Sequence, residues 1–175
     1  MSKIADLLIK FGAVKYGDFI LSSGKRSSIY IDLRNVISHP QVYKEIVKES
    51  ISIIKNLNFD AIAGIPTGGL IWASLIAYEL SKPLCYVRKE EKGHGTSKIV
   101  EGDLNKESKI IIIDDVATTG SSILYAAEKL IENGFVVKDA FVIVDREEGA
   151  RNSLESKGIA LHSLLKLRDL LSRSF

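Results

Sequence analysis

The chain has 175 residues, a formal net charge of +2, 46% hydrophobic residues and one cysteine. That length suits one domain that buries roughly two thirds of its unfolded surface without a disulfide or metal staple. The small net charge argues against nucleic acid as a partner, and the lone Cys85 excludes an internal disulfide and fits a reducing compartment. The opening MSKIADLLIKFG lacks the long apolar core and cleavage site of a signal peptide. No apolar run reaches the roughly 18 residues of a membrane helix. The expectation is a cytoplasmic protein with no membrane or nucleic-acid partner, organised as a single domain over residues 1–175.

Residues 2–11 read as an amphipathic helix with Ser2 as a cap. Strand-like stretches at 14–21 and 29–33 flank SSGKRSS, a glycine- and serine-rich turn with two cations. Pro40 opens a helix to about Leu57, with Val42, Ile46, Val47, Ile53 and Ile54 inward. FDAIAGI (59–65) reads as a short buried strand, PTGG (66–69) as a loop, and 70–80 as a buried helix with Trp72 in its core pattern. A further strand, 83–89, carries Cys85, expected buried and inert. KEEKGHGTSK (89–98) has no large apolar residue to anchor it and reads as a mobile loop.

Four isoleucines then run into Asp114 and Asp115, which marks 109–113 as a buried strand of a parallel sheet. A helix follows from Ser121 to Asn133, with Gly134 as its C-cap. AFVIVD (140–145) is one more buried strand; a short helix, a strand at 159–165 and a tail helix complete the chain. Strands alternating with helices imply an α/β fold, a mainly parallel sheet flanked by helices on both faces.

Chemistry concentrates where strands end and helices begin, the edge at which open α/β sheets bind ligands. Ionised Asp114 and Asp115 are pure acceptors, suited to ribose hydroxyls or a hydrated divalent cation. The small residues Ala117 to Ser122 let backbone amides converge on a phosphate, with hydroxyls from Thr118, Thr119, Ser121 and Ser122 adding bonds. Together they describe a ribose-phosphate site; a bare Asp-Asp would be an ordinary strand-to-helix turn. The segment is neither a Walker A loop nor a dinucleotide glycine motif. Arg88, Lys89, Lys92 and His94 form a second group, able to close over an anion or to stay solvated. Pro66–Gly69 is either a backbone cradle or a plain tight turn. Arg146 either grips a carboxylate or pairs with Glu147 or Glu148. Lys25 by default decorates a surface hairpin, and His39 and His162 lack ligand-like spacing.

IIIIDDVATTGSS resembles the phosphoribosyl pyrophosphate (PRPP) signature of type I phosphoribosyltransferases. LSSGKRSSIYID, the basic segment YVRKEEKGHGTSKIVEG and DREE at 145–148 are similar to the corresponding segments of orotate phosphoribosyltransferases, in the same order. The resemblance spans residues 19–148 and implies the type I phosphoribosyltransferase fold with a small N-terminal hood. It implies Mg²⁺-dependent transfer of ribose 5-phosphate from PRPP to orotate, giving orotidine 5′-monophosphate and pyrophosphate, in pyrimidine biosynthesis.

By position, Asp114 and Asp115 would bind the ribose hydroxyls. Val116, Ala117, Thr118, Thr119, Gly120, Ser121 and Ser122 would hold the 5-phosphate. Lys25, Arg88, Lys89, Lys92 and His94 would also contact PRPP, the last four at its pyrophosphate. Lys92, His94 and Asp115 would be the catalytic residues. Thr118 and Arg146 would bind orotate, Arg146 at its carboxylate. The metal would be held mainly through PRPP, with no direct protein ligand set. The family also implies a homodimer with shared active sites. Bacterial relatives often carry Tyr-Lys where this chain has Thr67-Gly68, so that contact is lost or supplied by backbone amides.

Overall fold

The computed structural model describes residues 3–20, 24–88 and 98–171. The chain opens with helix α1 (Lys3–Lys10) and an antiparallel hairpin of β1 (Val14–Ile20) and β2 (Arg26–Ile31). A 3-10 turn at Asn35–Ser38 leads into α2 (Pro40–Ile54). Then follow β3 (Ala61–Gly64), α3 (Gly68–Leu80), β4 (Leu84–Val87), β5 (Val100–Glu101) and β6 (Lys109–Ala117). The rest is α4 (Ser121–Glu132), β7 (Val136–Asp145), α5 (Ala150–Glu155), β8 (Ala160–Lys166) and α6 (Leu167–Leu171). The main sheet has the order β5-β4-β3-β6-β7-β8, parallel throughout except for the antiparallel edge pair β4–β5.

The isoleucine run explains why β6 sits at the centre. Side chains alternate faces along a strand. Ile111 and Ile113 therefore join the core beneath α2 and α3, with Trp72 and Phe141. Ile110 and Ile112 join the opposite core beneath α4 and α5, with Ile123 and Leu154. A strand covered on both faces has no polar positions to spare until it reaches the ligand edge, where Asp114 and Asp115 stand. The β1–β2 hairpin lies outside this sheet and forms the small hood.

Several boundaries move for tertiary reasons. Strand β6 runs four residues past Ile113, to Ala117, because Asp114, Val116 and Ala117 pair with Val142, Val144 and Asp145 of β7. Strand β2 begins at Arg26, inside the expected turn, since Arg26 and Ser27 pair with Ile20 and Phe19. Strand β5 was not expected; its two residues pair with Tyr86 and Val87. On α2, Ile53 was expected inward but is 36% exposed, while Ser50 is fully buried. The 3.6-residue period puts 46, 50 and 54 on one line, and the Ser50 hydroxyl donates to the Ile46 carbonyl at 2.7 Å. Gly134 does close α4, at φ +86° with its amide on the Ile131 carbonyl. Ser2 and most of the loop expected to be mobile, residues 89–97, lie outside the described residues.

Candidate active site

The carboxyl ends of β3, β6 and β7 and the inner side of the hood enclose a cleft of about 450 Å³. Asp114 stands in the last four residues of β6, 8% exposed, and its Oδ1 accepts the Asp115 amide at 2.9 Å. Asp115 repeats the pattern, with Oδ1 accepting the Val116 amide at 2.9 Å. Each carboxylate thereby accepts the amide that follows it and lines the cleft.

The Pro66–Gly69 loop presses against this pair, and its glycines are there for that contact. A Cβ on Gly68 would lie 2.1 Å from Asp115 Oδ2. One on Gly69 would lie 2.6 Å from Asp114 Cα and from the Ile113 carbonyl oxygen. The helix expected from residue 70 begins at Gly68 because the bare backbone can lie directly on β6. The Pro66–Thr67 peptide bond is cis.

Beyond Ala117 the chain turns through Thr118 and Thr119 to Gly120, whose φ of +83° suits glycine. Helix α4 starts at Ser121, and among the described residues no side chain caps it. Its first amides therefore face a crevice lined by Val116 to Ile123 and continuous with Asp114, an arrangement that attracts an anion. The Thr119 hydroxyl lies 3.3 Å from that of Ser121. The nine residues from Asp114 to Ser122 thus form one continuous surface.

Arg146, just after β7, lines the same cleft but is already engaged. Its side chain is 3% exposed, and Nε meets Glu148 at 2.8 Å. Its Nη1 donates to the Ile29 carbonyl at 3.3 Å and its Nη2 to the Ser27 hydroxyl at 3.0 Å. Of the two expectations for this residue the pairing with Glu148 is the one seen; the side chain also lines the cleft and ties the hood to the sheet.

Arg88 lies elsewhere. It pairs with Glu101 and lines a separate hollow of about 290 Å³ with Ser121, Ser122 and Tyr125. Its Nε is buried without a partner among the described residues. A buried, unsatisfied donor beside the uncapped start of α4 has room to bind a further acceptor. Lys25 is exposed beside the hairpin turn and is not part of the cleft lining. Lys89, Lys92 and His94 lie outside the described residues.

Three residues of the hood wall escaped the sequence reading of the site: Tyr30, Asp32 and Arg34. The Arg34 Nε donates to Asp32 Oδ1 at 2.9 Å, and its Nη2 donates to the Tyr30 hydroxyl at 3.2 Å. Lys15 approaches the other Asp32 oxygen at 3.4 Å. Burial pushes the Asp32 carboxyl up, but the bonds and charge of Arg34 and the bond from Lys15 outweigh it and hold it below the usual range. The signal available was the phrase YIDLR, in which alternate residues of a strand and its exit share one side.

Other singled-out residues are structural. Burial pushes the Cys85 thiol up to about 12, which keeps it an unreactive neutral thiol. Trp72 is core, His162 pairs with Asp139 at 2.8 Å, and His39 packs on Phe11. Among the described residues no helix is long and apolar enough to cross a membrane.

The family described as phosphoribosyl transferase domain matches residues 33–158. The orotate phosphoribosyltransferase of Sulfolobus acidocaldarius is 49% identical over 156 residues, covering 89% of this chain and 79% of that protein. The chain belongs to the orotate phosphoribosyltransferase family. A crystal structure of the family's member from Aeropyrum pernix superposes with a TM-score of 0.87 at 41% identity, covering 97% of this chain and 98% of that one. The Mycobacterium tuberculosis orotate phosphoribosyltransferase in complex with PRPP superposes with a TM-score of 0.76 at 25% identity, covering 96% of each chain. The α/β fold and the enzyme class expected from the motifs are those of the family.

Proposed function

We propose that the chain acts as one phosphoribosyltransferase domain that transfers ribose 5-phosphate from PRPP to orotate, releasing pyrophosphate and orotidine 5′-monophosphate for pyrimidine biosynthesis. The observation that carries the reading is the meeting of Asp114 and Asp115 with the uncapped start of α4 on one cleft wall. A sugar diol beside a phosphate fits that wall.

In this reading the acid pair accepts from the ribose 2- and 3-hydroxyls. The amides and hydroxyls from Val116 to Ser122 take the 5-phosphate. The C1–O bond breaks in an oxocarbenium-like transition state, and N1 of orotate attacks from the opposite face. Orotate is already anionic, so no strong general base is required. Charge grows on the departing pyrophosphate, which Arg88, Lys89, Lys92 and His94 would contact, with Lys92 and His94 as catalytic residues, while Lys25 would also contact PRPP. Thr118 and Arg146 contact the acceptor. The hard oxygens of Asp114 and Asp115 suit Mg²⁺, but no cluster of three or more ligating side chains occurs among the described residues. Those two residues would hold it through the PRPP hydroxyls, and when bound it supplies Lewis-acid stabilisation of the leaving charge. A cytoplasmic homodimer that shares loop cations between sites completes the proposal.

The test is PRPP-dependent consumption of orotate, measured beside adenine, hypoxanthine and uracil. Orotate loss with matching pyrophosphate release is expected. Consumption of a neutral base with orotate untouched would overturn the reading. Within it, Lys92→Ala should lower kcat at least tenfold, roughly 1.4 kcal/mol of barrier. Undiminished turnover would remove Lys92 from catalysis.

A further inference from the structure

The cleft lining includes two arginines, and only Arg34 is largely exposed and shares its carboxylate partner with a second cation. Arg146 is buried, and the Glu148 carboxylate neutralises it at 2.8 Å. A second carboxylate there would compete with Glu148 and with the two hood acceptors, Ile29 and Ser27. Arg34 also pairs with a carboxylate, Asp32, but shares it with Lys15 and is far more exposed. Its side chain is 57% exposed, and two of its five N–H groups are engaged, one with Asp32 and one with Tyr30. The remaining donors have no partner among the described residues.

The charge count points the same way. Lys15 and Arg34 share the single carboxylate of Asp32, which leaves the hood wall with one net positive charge. The facing wall carries Asp114 and Asp115. An acceptor bearing its own carboxylate is repelled by that wall and attracted to the hood. Bonds on two sides hold the Arg34 fork in place, so a bidentate pairing costs little further ordering. The Tyr30 hydroxyl accepts from Arg34, so its own proton is directed away from Arg34.

We propose that Arg34 is a specificity-determining residue: its guanidinium binds the carboxylate of the pyrimidine acceptor, while Arg146 holds the hood and contacts the acceptor's ring. The assignment rests on the orotate reading above and extends it to a residue on the opposite wall from the PRPP signature.

The experiment is steady-state kinetics of the wild type, Arg34→Gln and Arg34→Lys, with orotate and PRPP each varied and with uracil, which lacks the carboxylate, as alternative acceptor. Arg34→Gln should raise KM for orotate at least tenfold while KM for PRPP stays within about threefold. Its kcat/KM for uracil should be unchanged, so the preference for orotate collapses. Arg34→Lys keeps the charge without the fork and should fall between. A parallel loss on orotate and uracil would mean a merely structural role, and a rise confined to KM for PRPP would put Arg34 at the other substrate. Either result, or an unchanged KM for orotate, overturns the proposal. Where uracil turnover is too slow to read, the split between the two KM values decides. A wild type inactive on orotate would instead sink the function proposed above, before any variant is compared.

Discussion

The sheet-edge wall of the cleft is built from backbone and sterics, whereas the hood wall is built from side-chain charges. On the first, Asp114 and Asp115 bond to their own following amides, and Gly68 and Gly69 let a neighbouring loop lie against them. On the second, Lys15, Asp32, Arg34 and Tyr30 hold one another, and Arg146 ties the hairpin down. A wall made of backbone is fixed once the sheet forms. A wall made of partly exposed ion pairs can yield to pH or substitution while the sheet stays folded.

The strongest way to break this contrast is Arg146→Ala. It strips a nine-tenths-buried cation from Glu148 and removes two bonds into the hairpin. Truncating one partner of a buried pair costs about 3 kcal/mol. A fall in melting temperature of roughly 6–12 °C is expected. Limited proteolysis should cut the β1–β2 hairpin first. Cleavage that begins in the central sheet would mean the hood does not depend on this anchor.

Gly69→Ala and Gly68→Ala sharpen the comparison within the sheet-edge wall itself. A Cβ on Gly69 meets main-chain atoms of Ile113 and Asp114, which cannot move without shifting β6. About 2 kcal/mol of destabilisation is expected, read as a lower urea midpoint. A Cβ on Gly68 meets the Asp115 carboxylate, which can swing away. That variant should keep most of its stability but lose roughly tenfold or more in kcat/KM for PRPP, about 1.4 kcal/mol of transition-state binding. Equal stability losses in the two variants would refute the distinction between backbone and side-chain contact.

The same division explains what the sequence could disclose. The sheet-edge wall was legible because its causes are local. An apolar run, an acid pair and a string of small residues occupy consecutive positions, and strand-then-helix order fixes where they emerge. Local pattern could not show that β6 continues to Ala117, since that depends on β7, nor that two residues at 100–101 would pair with β4. The hood wall was harder. Arg146 meets Ser27 and Ile29 across 119 and 117 positions, a pairing that no window along the chain contains. Arg34 sits just past the end of a strand, where its charge reads as an ordinary solvated cation until the fold sets it beside Asp32 and Tyr30 in the cleft wall.

Asp32→Asn tests the hood wall with the smallest effect. Its partners Lys15 and Arg34 are about half exposed, so screening limits the network to less than about 1 kcal/mol at neutral pH. The sign of its pH dependence is fixed. The folded carboxyl lies below its ordinary value of 3.8, so the unfolded chain binds the proton more readily. The stabilisation is complete above 3.8 and disappears as pH falls through the lower, folded value. The urea midpoints of wild type and variant should therefore differ at pH 7 and converge in strong acid. At pH 7 the variant also frees Arg34 from its main anchor, so KM for orotate should rise about threefold while KM for PRPP holds, roughly 0.6 kcal/mol. A midpoint gap that is the same at both pH values would show that Asp32 contributes through packing rather than charge, and the electrostatic account of the hood wall would fail with it.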